Sequence, residues 1–209
     1  MSIHVPTELG QSNNTGPITD FCGFVIGWTH GKKPITIQRR SKAEVDPLIE
    51  SNHYSRKACR NSFCSLLVYY GDHGVCGAVQ LGHGIRPKKK DEGVVEFDRM
   101  WLHDVMPKYS ETIVLSLVHK FIRKAYPYIH TLRTYADTSV GNTGTIYRAA
   151  NYTETKRIKA DFYILPNGER VHPVTMWHRH KTRAKAFLDV EYPGWKKAEG
   201  EQIQFEYYL

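Results

Sequence analysis

The chain has 209 residues, 41% of them hydrophobic, which suits one large packed domain with modest appendages. Its formal charge is +8 and its pI is near 9.3, a surplus that fits a polyanionic partner, nucleic acid foremost, or a plain basic enzyme. No stretch reaches a membrane span, residues 1–16 lack the pattern of a signal peptide, and four cysteines without a C-x-x-C pair argue against a zinc knuckle and for a reduced, cytoplasmic protein.

Residues 1–20 are rich in Ser, Asn, Thr, Gly and Pro and read as a loose arm. Residues 21–28 are a short apolar run, either a strand or a packed lead-in. Residues 35–39 alternate as a first strand. Ser41 is placed to cap a helix through Ala43, Val45, Leu48 and Ile49, in which Pro47 predicts a break. Residues 65–70 and 75–81 form a hairpin around Gly71-Asp72-His73-Gly74. A Gly-, Pro- and Lys-rich loop at 82–93 leads to a strand at 94–102. The clearest element is a helix over 111–126, with Ile113, Val114, Leu117, Val118, Phe121, Ile122 and Ala125 on one face. Ser110 is its expected N-cap and Pro127 ends it. A strand at 129–137 and a short helix at 143–150 follow. Residues 160–165 and 171–177 flank Pro166-Asn167-Gly168-Glu169 as a second hairpin, and the tail from Arg179 is basic, then mixed.

Several residues stand out chemically. In His53-Tyr54-Ser55 an imidazole and a phenol follow the first helix, where they act as base and donor, bind a metal, or merely sit on the surface. Asp98 and Arg99 lie in a strand expected to be buried, so they need partners; they form an internal ion pair, or Arg99 faces a ligand cleft. Asp137 ends the neighbouring parallel strand, where open α/β sheets bind ligands. Basic residues at Lys32-Lys33, Arg39-Arg40, Lys88-Lys89-Lys90 and Arg179, Lys181, Arg183 and Lys185 are solvated faces singly and a phosphate track together. Tyr54, Trp101 and Trp177 are available to stack on an extruded base. His178-x-His180 is a weak metal-ligand spacing.

The strand–helix–strand–helix order across 96–152 resembles the GCN5-related N-acetyltransferase superfamily, and its wording resembles one branch, the phage Mom DNA-modification family. The resemblance rests on His53-Tyr54-Ser55, on Glu96-Phe97-Asp98-Arg99-Met100-Trp101-Leu102 and on the segment 137–152, and spans about residues 35–180. It implies an α/β fold with a mixed central sheet flanked by helices: a catalytic domain at 31–187, after an arm at 1–30 and before an extension at 188–209. It implies a flipped adenine of double-stranded DNA as substrate, modified at N6 by a methylcarbamoyl or carbamoylmethyl group that hides the DNA from host restriction. The implied cofactor is acetyl-CoA, with its pyrophosphate on helix-N-terminal amides near Lys108, Ser110 and Thr112, and with Arg99 and Asn142 close by. The superfamily's glycine-rich loop is missing from 105–112, a departure that weakens the cofactor inference.

Tyr147 corresponds to a tyrosine that protonates the leaving thiolate, or else is a packed aromatic; Asn151 replaces the turn glycine. Because simple acetyl transfer does not supply the product's extra nitrogen, the resemblance also suggests an iron held by His53, Tyr54 and Asp137. The rival readings are an ordinary N-acetyltransferase and a non-catalytic DNA-binding module. Monomer and dimer both stay open.

Overall fold

A computed structural model of the chain describes residues 16–19, 25–30, 33–84 and 92–209. The expectations for Lys88, Lys89 and Lys90, and for most of the N-terminal arm, lie outside the described residues. The chain divides into two compact units: Met1–Thr134 with Ala149–Asn151 and Tyr207–Leu209, and Tyr135–Arg148 with Tyr152–Glu206.

In the first unit, β1 (Gly16–Thr19), β2 (Val25–His30), β3 (Lys33–Arg40), β4 (Ser62–Tyr70), β5 (Val75–Gly82) and β6 (Val94–Leu102) pair in sequence order, each antiparallel to the next. β7 (Thr131–Asp137) then pairs parallel to β6, so the sheet is mixed as expected. Gly16–Thr19 is a strand where a loose arm was expected. The expected hairpin is β4–β5, turned by a short 3-10 segment at Gly71–His73.

The register assigns the two faces of this sheet. Leu67 pairs with Gln38 and Ala78, and Ala78 with Trp101, which sets these side chains on one face. Helix α1 (Lys42–Asn52) covers that face, packing Val45 and Ile49 on Leu67 and Ala78. Ile35 and Ile37 fall on the opposite face, and helix α2 (Ser110–Ala125) packs against their strand and β2 with Val114, Leu115, Leu117, Val118 and Ile122 buried.

Both helix starts follow local chemistry. Ser41 and Glu44 form a reciprocal capping box, with Ser41 N donating to Glu44 Oε2 at 2.9 Å and Glu44 N donating back to Ser41 Oγ at 3.3 Å. The break expected at Pro47 does not occur; the helix runs to Asn52. Proline removes a single N–H donor there, and burial of Val45 and Ile49 offsets that loss. Ser110 is not the N-cap of α2: Tyr109 holds that position with φ +72°, and the Ser110 hydroxyl donates to the Pro107 carbonyl at 2.6 Å.

In the second unit, β8 (Thr153–Lys159) pairs antiparallel with β12 (Glu201–Tyr208), and β9 (Tyr163–Ile164) lies between β10 (Arg170–Val171) and β11 (Lys196–Lys197). Helices α3 (Thr145–Ala149), α4 (Pro173–His180) and α5 (Lys185–Glu191) complete it. Its core joins Tyr163, Leu165, Val171, Met176 and Leu188. The second hairpin is present only as the short β9–β10 pair, because residues expected to extend it become α4. Pro173 sits in that helix's first turn, where its missing N–H costs nothing, and His172 Nδ1 accepts Val174 N–H at 3.1 Å as the cap.

Candidate active site

The candidate site lies in the first unit, where α1 hands the chain to the loop 53–61 and that loop crosses a bulge in β6. His53 closes α1, its N–H donating to Ile49 O at 2.9 Å. The chain then turns sharply, with Arg56 N–H donating to His53 O at 2.9 Å and Arg56 itself left-handed at φ +50°.

Inside the turn, Ser55 N–H donates to His53 Nδ1 at 3.2 Å, and the Ser55 hydroxyl lies 2.8 Å from the same nitrogen. A backbone N–H only donates, so Nδ1 is an acceptor and the neutral ring carries its proton on Nε2. Burial, helped by the positive charge of Arg99, pushes His53 down to about 4. The ring is therefore neutral at physiological pH, a hydrogen-bond donor through Nε2 rather than an acceptor there. Tyr54 stands beside it, 59% exposed, with ring centroids 4.3 Å apart.

The β6 bulge supplies the charged groups. Gln80 pairs with Arg99 but Leu81 with Phe97, so Asp98 is the extra residue. Asp98 and Arg99 do not form the internal ion pair that the sequence suggested. Arg99 donates through Nε to the Lys57 carbonyl at 2.9 Å and through Nη1 to the Asp98 carbonyl at 2.7 Å. The Asp98 carboxylate instead accepts the Cys59 thiol at 2.9 Å. Burial raises the Asp98 carboxyl, and burial plus the bond to Asp98 pushes Cys59 up to about 12. Cys59 is thus a neutral donor, not a thiolate nucleophile.

A chain of hydrogen bonds continues inward. Cys59 N–H donates to Gln80 Oε1 at 2.8 Å, Gln80 Nε2 to Asp46 Oδ1 at 2.7 Å, and Asp46 pairs with Lys42 at 2.6 Å. Gly82 makes room for the thiol–carboxylate contact, since a Cβ there would stand 2.5 Å from Asp98 Oδ2 and 2.7 Å from Cys59 Sγ. Sequence reasoning missed Cys59 and Gln80; the one available signal was a glutamine amid the apolar residues of β5.

The parallel ladder of β6 and β7 spans only Val94–Glu96 against Thr131–Arg133, although β6 runs on to Leu102. Where it ends, the Thr134 hydroxyl donates to Phe97 O at 3.0 Å. The α2 start lacks the glycine that the acetyltransferase resemblance led one to expect, yet Tyr109 adopts the left-handed conformation that a glycine usually supplies. No side chain caps it; Lys108 Nζ lies 5.1 Å from the Tyr109 ring centroid, and the Thr112 hydroxyl donates to Tyr109 O at 2.9 Å. Ser110 is 2% exposed with its hydroxyl committed, which takes it out of the expected phosphate contacts.

The second unit holds the other candidates. Asp137 is 7% exposed; its Oδ1 accepts Ser139 N–H at 3.0 Å and the Ser139 hydroxyl, while its Oδ2 pairs with Arg170 at 3.0 Å. Tyr147 is buried, its ring 5.6 Å from both Tyr152 and Phe205, the packing of a core aromatic. Asn142 Oδ1 accepts Gly144 N–H at 3.0 Å ahead of α3, and Asn151 is left-handed at φ +62° as expected.

The donor set does not suit the expected iron. Both Asp137 oxygens serve Ser139 and Arg170, and His53 Nδ1 serves Ser55. Among the described residues no three His, Cys, Asp or Glu side chains group to hold a metal ion, His178 and His180 included.

The basic residues separate as well. Arg39 and Arg40 are consecutive in β3 and point to opposite faces, Arg39 over the Tyr126 ring and Arg40 to Gln38 Oε1 at 2.7 Å. Arg179 forms a two-point pair with Glu169 at 2.6 and 3.1 Å, while Lys181 and Arg183 are exposed. Trp101 packs beside the α1 cluster, whereas Trp177 is exposed.

No described helix is long and apolar enough to cross a membrane. Among solved structures, the chain is similar to NAA60 of Arabidopsis thaliana with a bisubstrate analogue (10% identity, 83% of this chain, 97% of that one, TM-score 0.51). It is also similar to the spermidine/spermine N-acetyltransferase SpeG of Vibrio cholerae (8% identity, 83% and 94%, TM-score 0.50). At such identities the likeness establishes the acetyltransferase fold alone. In sequence, the methylcarbamoylase Mom of Escherichia phage Mu is 31% identical over 167 residues, covering 76% of this chain and 68% of that protein. The family model of the Mom protein family matches residues 34–209, and on that breadth the chain belongs to the Mom family.

Proposed function

We propose that this chain is a transferase that places a methylcarbamoyl-type group on the N6 amine of adenine in duplex DNA, with an acyl-CoA whose acyl group already carries the added nitrogen as donor, and so shields that DNA from restriction. The carrying observation is the neutral His53, fixed as an Nε2 donor beside Arg99, in a chain of the family that includes a methylcarbamoylase.

Adenine N6 is a weak nucleophile because its lone pair is conjugated with the ring, so acyl transfer needs the carbonyl of the donor thioester polarised. Two donors suit that task. His53 Nε2 and Arg99 Nη2 carry no hydrogen bond among the described residues, while every other polar atom of these two side chains is committed. A neutral imidazole donates without first losing a charge, and Arg99 adds a fixed positive one. The base must leave the duplex to reach them, at a cost of a few kcal/mol. The exposed Tyr54 ring offers a stacking surface that offsets part of it.

The fold implies an acyl-CoA, and the residues fit one. The short parallel ladder between β6 and β7 leaves β6 backbone groups for the pantetheine arm, and the uncapped first turn of α2, with Lys108 beside it, suits the pyrophosphate. When bound, the thioester supplies an activated acyl carbon. Purified chain, duplex DNA and acyl-CoA incubated together test the reading. An adduct on deoxyadenosine that needs all three supports it, whereas acylation of a small amine without DNA would favour an ordinary N-acetyltransferase.

A further inference from the structure

The loop that carries His53 and Tyr54 is also basic, and its charges are unopposed. Between Glu50 and Asp72 the chain has no acidic residue, yet it holds Arg56, Lys57 and Arg60. All three are exposed, and none has an ion pair or side-chain hydrogen bond among the described residues. Other exposed or half-exposed cations do meet carboxylates: Lys33 meets Asp72, Lys42 meets Asp46, Arg148 and Arg157 meet Glu154, Arg170 meets Asp137, Arg179 meets Glu169 and Lys185 meets Asp189.

The loop backbone is held while its side chains are left out. Arg56 N–H donates to His53 O at 2.9 Å, the Lys57 carbonyl accepts Arg99 Nε at 2.9 Å, and Cys59 N–H donates to Gln80 Oε1 at 2.8 Å. Arg56 keeps a left-handed conformation that most side chains avoid. Three cations on a braced strap lose less freedom on meeting a ligand than three on a loose one.

We propose that Arg56, Lys57 and Arg60 form a phosphate-binding strap that grips the duplex DNA backbone next to the adenine presented to His53 and Tyr54. The proposal rests on the DNA reading above and gives that site its backbone contacts. Phosphate contacts set register without reading sequence, as a strap beside a base pocket requires.

The test is binding of the full chain to a fluorescent duplex over a series of KCl concentrations, followed by anisotropy. Each phosphate contact contributes about 0.9 to the slope of log affinity against log salt. The triple variant Arg56→Gln, Lys57→Gln, Arg60→Gln is expected to flatten that slope by about 2 to 3 and to weaken all duplex sequences alike. The double variant Lys57→Gln, Arg60→Gln leaves the Arg56 turn intact and is expected to flatten it by about 2. A charge-matched variant on α2, Lys120→Gln, Arg123→Gln, Lys124→Gln, is expected to keep most of the slope.

Thermal melts confirm that the variants are folded. An unchanged slope in the double variant, or an equal loss in the α2 variant, overturns the strap while leaving DNA as the substrate. A wild-type chain without salt-dependent duplex affinity defeats the DNA reading and the strap with it. Strap-dependent binding to single-stranded RNA but not to duplex DNA likewise overturns the assignment.

Discussion

Arg99 Nε donates to the carbonyl of Lys57 at 2.9 Å, joining the β6 bulge to the loop behind His53 across 42 positions of sequence. This bond turns two separate features, a half-buried charge and a loop histidine, into one site. Arg99→Gln should release the loop and remove the cation beside His53. Loss of charge-assisted bonds of this kind costs about 1.5 to 3 kcal/mol each, so a melt should show clear destabilisation. Product yield should fall further in Arg99→Gln than in Ile49→Ala variants of matched stability; an equal fall would make Arg99 a brace only.

Ile49 is fully buried and precedes His53 by one helical turn. Ile49→Ala should cost about 2 to 5 kcal/mol through lost burial and a residual cavity, read by denaturant unfolding. A loss well below that range would mean that α1 repacks on Leu67 and Ala78.

Acid should destabilise the fold through two buried histidines. Burial holds His53 at about 4 and His119 at about 3, against about 6.5 in the unfolded chain. The unfolded state therefore takes up protons from about pH 6.5 downward while the native state does not. Stability is full above that pH and declines as pH falls toward 4 and then 3, by about 1.4 kcal/mol per unit for each histidine. His119 stacks on Tyr207 at 3.8 Å, and His119→Phe should keep the stack and make the decline shallower. An unaltered decline, measured by unfolding at pH 7 and pH 4.5, would remove His119 from the account.

Cys59 should be a slow thiol. With its titration pushed up to about 12, native protein at pH 8 has almost no thiolate, and iodoacetamide should label Cys59 far more slowly than in unfolded chain. Asp98→Asn should speed labelling, because the Asp98 bond and charge help to hold the proton on sulfur. Fast native labelling, mapped by mass spectrometry, would contradict the buried thiol–carboxylate contact.

Much of the fold was legible because local chemistry declared it. Apolar spacing marked α2, a Gly-Asp-His-Gly turn marked β4–β5, and the Gly-, Pro- and Lys-rich run ahead of Val94 marked the start of β6. Strand β8 was not legible: its residues, Thr-Glu-Thr-Lys-Arg-Ile-Lys, are all exposed and carry no inward alternation. β12 does alternate, burying Ile203 and Phe205, but it belongs to a tail that read as an extension. At the site, His53, Tyr54 and Arg99 stood out as unusual residues in their places. The rest of the site did not, because Lys57 meets Arg99, and Cys59 meets Asp98 and Gln80, through a bulge and a crossing loop that no local pattern encodes. The iron trio failed for a comparable reason: the sequence marks Asp137 as a strand-end carboxylate but not Arg170, 33 positions away, that occupies it.

The most direct test is mass spectrometry of nucleosides from DNA of bacteria expressing this chain, beside DNA from cells expressing His53→Ala. The account predicts a deoxyadenosine adduct with the mass of a methylcarbamoyl-type group, lost when His53 is replaced. Unmodified deoxyadenosine from cells containing folded wild-type protein, or an adduct undiminished in His53→Ala, would contradict it.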